Sequence, residues 1–149
     1  MFAHTAILDE WFDKTIAIYP EQAQGSISRS GERFRNPVGF MLRESLAKLL
    51  EELAGEMDVV RTGDAVGEIV RLRAVQDCAP SEAVGFVFLL RQIVRAHHAE
   101  AEFADMESRI DKLALLTFDQ YMKCREDLAL VRINEAKRAL SVRHMRDDL

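Results

Sequence analysis

The stretch Ile69–Val94, IVRLRAVQDCAPSEAVGFVFLLRQIV, decides the fold. It holds two segments of helical period joined at Cys78-Ala79-Pro80-Ser81. The ring of Pro80 disfavours helical backbone at Ala79, so the first helix is expected to end there. Ser81 is placed to cap the second, its hydroxyl accepting from an amide two or three residues on. From Ala83 to Leu90 that second segment is almost wholly apolar, which predicts a helix lying in a core. The apolar run stops at Arg91, too short to cross a bilayer.

Helical period continues outward on both sides. Thr5 is a candidate cap, and Ile7, Leu8, Trp11, Phe12, Thr15, Ile16 and Tyr19 form a broad apolar face at spacings of three and four. Pro20 ends or restarts that helix. Glu21 to Ile27 is long enough for a short second helix, and Ser28 to Arg35, with Gly31, reads as a loop. Asn36-Pro37 is a start signal, with Asn as cap and Pro in the first helical position. The helix it opens runs through Phe40, Met41, Leu42, Leu46, Leu49, Leu50 and Leu53 to about Ala54, with Gly55 as terminator. A link over 58–63 follows. Asp64 is expected to cap a helix over 65–77, with Val66, Ile69, Val70, Leu72 (or Arg73) and Val75 inward. The buried helix after the junction is expected to reach His98.

From Glu100 the pattern predicts one or two further helices. Their stripe is Phe103, Met106, Ile110, Leu113, Leu116 (or Thr117), Tyr121, Cys124 (or Met122), Leu128 and Val131. No proline or glycine follows Gly85, so nothing local breaks this segment. No stretch has strand period and there is no internal repeat. The class is all-α: a single helical domain over 1–133 with a basic C-terminal helical tail over 134–149.

Composition bounds the function. With 149 residues, 48% hydrophobic and 30% charged, the chain suits one soluble domain with a substantial core. A net charge of -5 argues against nucleic acid as main partner, since phosphate binding needs a concentrated basic surface. The two cysteines, Cys78 and Cys124, form no CxxC pair and no secreted-type framework, which points to a reduced, cytoplasmic setting. The N-terminus has no basic start and its apolar run is broken by Asp9 and Glu10, unlike a signal peptide.

Residues that could carry chemistry are few. His97 and His98 stand beside Glu100 and Glu102 and are the weak candidates for a cofactor ligand; their spacing does not match a HEXXH zinc motif. The alternative is a polar helix end, where imidazoles suit the carbonyl terminus. His4 and His144, near the termini, are expected at the surface. Cys78 ends a helix, where the dipole has the wrong sign to activate a thiolate. Cys124 lies between Lys123 and Arg125 but on the apolar stripe, which argues for packing. Arg71, Arg73, Gln76, Asp77 and Ser81 surround the junction. Arg73 and Asp77 are four apart and can pair along the helix. These five read as a polar lock between two helices, or as a ligand-sensing cluster under a core pocket; Arg43 allows the same two readings. Trp11, Phe12, Phe40, Phe86, Phe88, Phe103 and Phe118 fit core packing, or the lining of a sensor cavity. Lys137, Arg138 and Arg143 in the tail are candidates for contact with a partner. There is no nucleophile elbow, no Ser-His-Asp pattern and no phosphate-cradling loop, so no catalytic residue, metal site or cofactor is assigned.

Two segments together resemble a known family. FRNPVGFMLRESLAKLLEEL and DAVGEIVRLRAVQDCAPSEAVGFVFLLRQIVR are similar to the N-terminal domain of the RsbRD family of RsbT co-antagonists. The resemblance rests on Asn36-Pro37-Val38-Gly39, Leu42-Arg43-Glu44, the run Ile69 to Asp77, and Pro80-Ser81-Glu82-Ala83-Val84-Gly85-Phe86. It covers roughly residues 5 to 130. It implies a non-enzymatic, globin-like helical sensor or regulatory domain, homodimeric and without an obligatory haem, that feeds signals to a C-terminal STAS domain in a stressosome. The sequence ends at Leu149 with no room for such a domain, and Met1 and the basic tail favour a stand-alone protein over a segment cut at a domain boundary. Stand-alone chains of this kind are also similar to small proteins that accompany sulfite-reduction redox complexes. The resemblance thus carries two alternatives to a stress regulator: a small-ligand or haem-binding sensor, and an accessory protein of such a complex.

Overall fold

A computed structural model describes residues 4–19, 36–98 and 100–148. Five helices account for them: α1 (His4–Ala17), α2 (Pro37–Ala54), α3 (Val59–Val75), α4 (Pro80–His97) and α5 (Glu100–Asp147). No strand occurs among the described residues. The molecule is an all-α single domain with a long C-terminal helix. Pro20, the proposed short helix over 21–27 and the loop over 28–35 lie outside the described residues.

The helices form where their caps and apolar faces coincide. In α1, Ile7, Trp11, Phe12 and Thr15 are buried, and Tyr19 follows them inward after the chain turns. The helix has begun by His4, so Thr5 lies within its first turn and is not its cap. Asn36 caps α2, its side chain accepting from the Gly39 amide at 3.0 Å, and Pro37 occupies the first turn. A Cβ at Gly39 would lie 2.5 Å from Asn36 Nδ2, so the cap needs a glycine there. Gly55 closes α2, its amide donating to Glu51 and Glu52 carbonyls. The left-handed residue of that turn is Met57, at φ 52°, and not the glycine.

Helix α3 begins earlier than its sequence suggests. Asp58, not Asp64, is the cap, accepting from the Arg61 amide at 2.9 Å. Gly63 is not a breaker but an inward-facing position: a Cβ there would stand 3.2 Å from Gln120 on α5. Gly67, one turn on, faces the same glutamine, so the glycine pair lets α3 and α5 approach closely. Arg73 takes the inward position that Leu72 could have filled, and Val75 turns out to solvent.

Helix α4 starts at Pro80 with Ala79 as N-cap, in extended conformation (φ -63°, ψ 150°), as the following proline demands. Ser81 is exposed within the first turn and no side chain makes a cap hydrogen bond, so the expected serine cap does not form. Ala83, Val84, Phe86, Val87, Leu90, Ile93 and Val94 are buried, whereas Phe88 is half exposed. The helix ends at His97.

Helix α5 is one uninterrupted element of 48 residues, about 72 Å long. Its buried residues are Phe103, Met106, Ile110, Leu113, Thr117 and Tyr121. Thr117, not Leu116, is the inward choice; its hydroxyl is satisfied by the Leu113 carbonyl at 2.7 Å. This half of α5 packs along α3 and α4, α2 lies on α3, and α1 sits across α4 and α2. At the centre, the Trp11 ring stacks on Phe86 at 6.0 Å and its N–H donates to the Phe86 carbonyl at 2.7 Å. Residues 131–148 are all exposed, so the last third of α5 projects from the body.

Candidate functional site

The junction between α3 and α4 is a connected polar cluster. Arg73 is 2% exposed. Its guanidinium donates to Gln76 Oε1 at 2.8 Å and to the Glu82 carbonyl at 3.4 Å, and it lies 4.4 Å over the Tyr19 ring. One buried fork thus joins the end of α1, the last turn of α3 and the first turn of α4. The expected Arg73–Asp77 pair does not form. Asp77 sits in the left-handed region (φ 56°), which turns the chain out of α3 and carries its carboxylate to Arg125 on α5, at 3.4 Å. The Tyr121 hydroxyl donates to the Cys78 carbonyl, and the Cys78 thiol bonds the Arg73 carbonyl at 3.4 Å. Arg71 takes no part: it folds back on its own helix, to the Gly67 carbonyl and Glu68. Ser81 stays outside as well.

Burial tunes these groups. Tyr19 and Tyr121 are each pushed up to about 12, chiefly by desolvation of the phenol. The Cys124 thiol is raised by burial, which outweighs Arg71 and Lys123. No group in the cluster stands as nucleophile beside a base. The cluster can hold the end of α1, the end of α3, the start of α4 and the middle of α5 in register.

The two histidines are brought to the turn between α4 and α5, but to different carboxylates. His97 Nε2 lies 2.9 Å from Glu10 on α1, which together with Lys14 lowers the Glu10 pKa. His98 Nδ1 lies 2.9 Å from Glu102 on the first turn of α5. A polar cleft of about 560 Å³ opens beside His98, lined by Glu102, Asp105 and Arg109 with Leu53, Ala54 and Met106. Arg109 closes it from one side by donating to the Leu53 carbonyl at the end of α2, at 2.8 Å. Among the described residues no three metal-ligand side chains gather in one place.

A further feature is an apolar groove of about 310 Å³ where α5 leaves the body. Ala74, Val75, Cys124, Leu128 and Val131 line it, with Arg71 and Asp127 at its edge. Beyond it, α5 shows Leu130, Ile133, Leu140, Val142 and Met145 to solvent, each at least half exposed. Lys137, Arg138 and Arg143 are exposed on the same segment. They are offset there by Glu135, Asp147 and Asp148, so the tail is mixed in sign rather than uniformly basic. Further down α5, Leu115 and Phe118 are also exposed, so Phe118, like Phe88, is not a core residue.

Sequence reasoning found Arg73, Gln76 and Asp77 but missed Tyr19, Tyr121 and Arg125 as their counterparts, and missed Arg109 at the cleft beside His98. The signal for Tyr121 was present. A tyrosine on a buried stripe must find a hydroxyl partner, and the junction between α3 and α4 supplies one in the Cys78 carbonyl. The groove was hidden because Val75, Leu128 and Val131 continue a core stripe in sequence.

Comparison with curated proteins and with solved structures found no match. A family model described as RsbT co-antagonist protein rsbRD N-terminal domain matches residues 5–136. That span runs from the first turn of α1 through the junction cluster and past the groove into the projecting part of α5. The chain belongs to the RsbT co-antagonist RsbRD N-terminal domain family.

Proposed function

We propose that this protein is a non-enzymatic regulatory module that works by protein–protein contact, as a homodimer, with α5 as its output element. The observation that carries the reading is the projection of α5. Most helical stability in proteins comes from packing of an apolar face, yet residues 131–148 are all exposed and hold large apolar side chains. Such surface is characteristic of an interaction site. The buried half of the same helix is clamped to the α3–α4 junction through Tyr121 and Arg125, and to the end of α2 through Arg109. A change in how the body packs therefore moves the far end of a rigid rod.

On this reading Arg73, Gln76 and Asp77 are a structural lock, with Arg71 and Ser81 outside it. Residues 1–133 are the sensing body and 134–149 its output tail, with Lys137 and Arg143 available to a regulatory protein partner. The stressosome-type role of the family supports a signalling setting in the cytoplasm. Light scattering on the full chain tests the reading: about 34 kDa is expected, and a particle of 17.0 kDa at all concentrations would remove the homodimer.

A further inference from the structure

The projecting part of α5 carries a heptad pattern that reads the same in both directions. Taking every third and fourth residue from the groove outward gives Leu128, Val131, Glu135, Arg138, Val142 and Met145. We infer that two copies pair through this face as antiparallel helices, about a twofold axis between residues 136 and 137; this rests on the homodimer proposed above. In that register Leu128 meets Met145 of the second copy, Val131 meets Val142, and Glu135 meets Arg138, each contact occurring twice. The interface is therefore self-complementary, as twofold symmetry requires.

Charge selects the direction. Parallel pairing on the same face would set Glu135 against Glu135 and Arg138 against Arg138 in the centre of the seam. Like charges in contact are strongly disfavoured there. Antiparallel pairing turns both into opposite-charge contacts. At the solvent-exposed rim the register is less favourable, with Arg125 near Arg146 and Asp127 near Asp148 of the second copy. Exposed charge pairs contribute little, and Arg125 is already engaged by Asp77.

The groove supplies the second argument. Leu128 and Val131 belong both to the seam and to the apolar groove on the body. The antiparallel register delivers Met145 of the second copy to that groove, against Ala74, Val75 and Cys124. The contact thus extends from helix on helix to helix on body. It also covers Val75, 69% exposed in the single chain, and Met145, 72% exposed. The opposite stripe of α5, with Leu115, Phe118, Ile133 and Leu140, stays outside this contact.

Cross-linking tests the register in the full chain with Cys78→Ala and Cys124→Ala. Under mild oxidation, a mixture of Val131→Cys and Val142→Cys chains is expected to give a covalent dimer, and neither chain alone to do so. Val131→Cys cross-linking to itself would overturn the antiparallel register while leaving the dimer standing. A monomer under all conditions would overturn both. Without added cysteines, Glu135→Arg is expected to weaken the dimer about tenfold or more, and Glu135→Arg with Arg138→Glu to restore it. An unaltered dimer in Glu135→Arg, with loss of the dimer in Ile133→Glu, would assign the interface to the opposite stripe and overturn the proposal.

Discussion

Arg73 is the residue on which the junction turns. Its charge is buried without a carboxylate partner; a glutamine oxygen, a backbone carbonyl and the face of Tyr19 take that place. Lysine keeps the charge but not the planar fork or the stacking. Arg73→Lys is expected to cost about 1–3 kcal/mol in urea unfolding, with the fold retained. The tyrosines give a second residue-level expectation. They are the chain's two tyrosines, and burial pushes both phenols up to about 12. A phenol raised above its ordinary value favours the neutral form in the folded state. Its contribution is fully present below pH 10 and is lost as pH rises towards 12. Absorbance at 295 nm should therefore show no phenolate step near pH 10 in the native protein, and a joint rise on alkaline unfolding. A separate step at 10 would mean that one of the two rings is not buried as described. Glu10 has the opposite sign. Its lowered pKa makes the contact with His97 and Lys14 a contribution present above about pH 4.5 and lost on acidification below it.

At the scale of single helices, the caps separate what could be read in sequence from what could not. Asn36-Pro37 was legible because cap, proline and glycine stand together, and a Cβ at Gly39 would strike the Asn36 side chain. Asn36→Ala and Gly39→Ala should each cost about 1 kcal/mol in thermal unfolding. They remove the same hydrogen bond, so the double substitution should cost far less than their sum. Full additivity would mean that Gly39 serves something other than the cap. The start of α3 was misread because Gly63 looks like punctuation until the neighbouring helix is known. Its meaning lies in the closeness of Gln120, a long-range fact. Ser81 was misread because Pro80 already fills the first helical position, where no N–H needs a partner. Asp77 in the left-handed region could not be inferred from spacing, which suggested an Arg73 pair along a helix that has in fact already ended.

For the whole molecule, the order of helices beyond residue 36 followed from period and punctuation, though not whether one helix or two follow Glu100, and the burial of Trp11, Phe86 and the leucines of α2 followed as well. What the sequence concealed was the point where the core stops. The stripe on α5 runs on through Leu128 and Val131 as if still inward, but α3 ends at Val75, and among the described residues Leu128 is only partly covered and Val131 is exposed. An apolar stripe that outlasts its own body leads directly to a second copy as the covering surface. The junction cluster, by contrast, was half legible: the arginine and the glutamine were visible, while the tyrosines that complete it come from α5 and the end of α1. Hydrogen exchange over residues 131–146 of α5 is the most direct test of that surface. The account predicts protected amides there at micromolar concentration, with protection falling as the protein is diluted and the copies separate. Exchange at the rate of an unprotected chain at every concentration would contradict it.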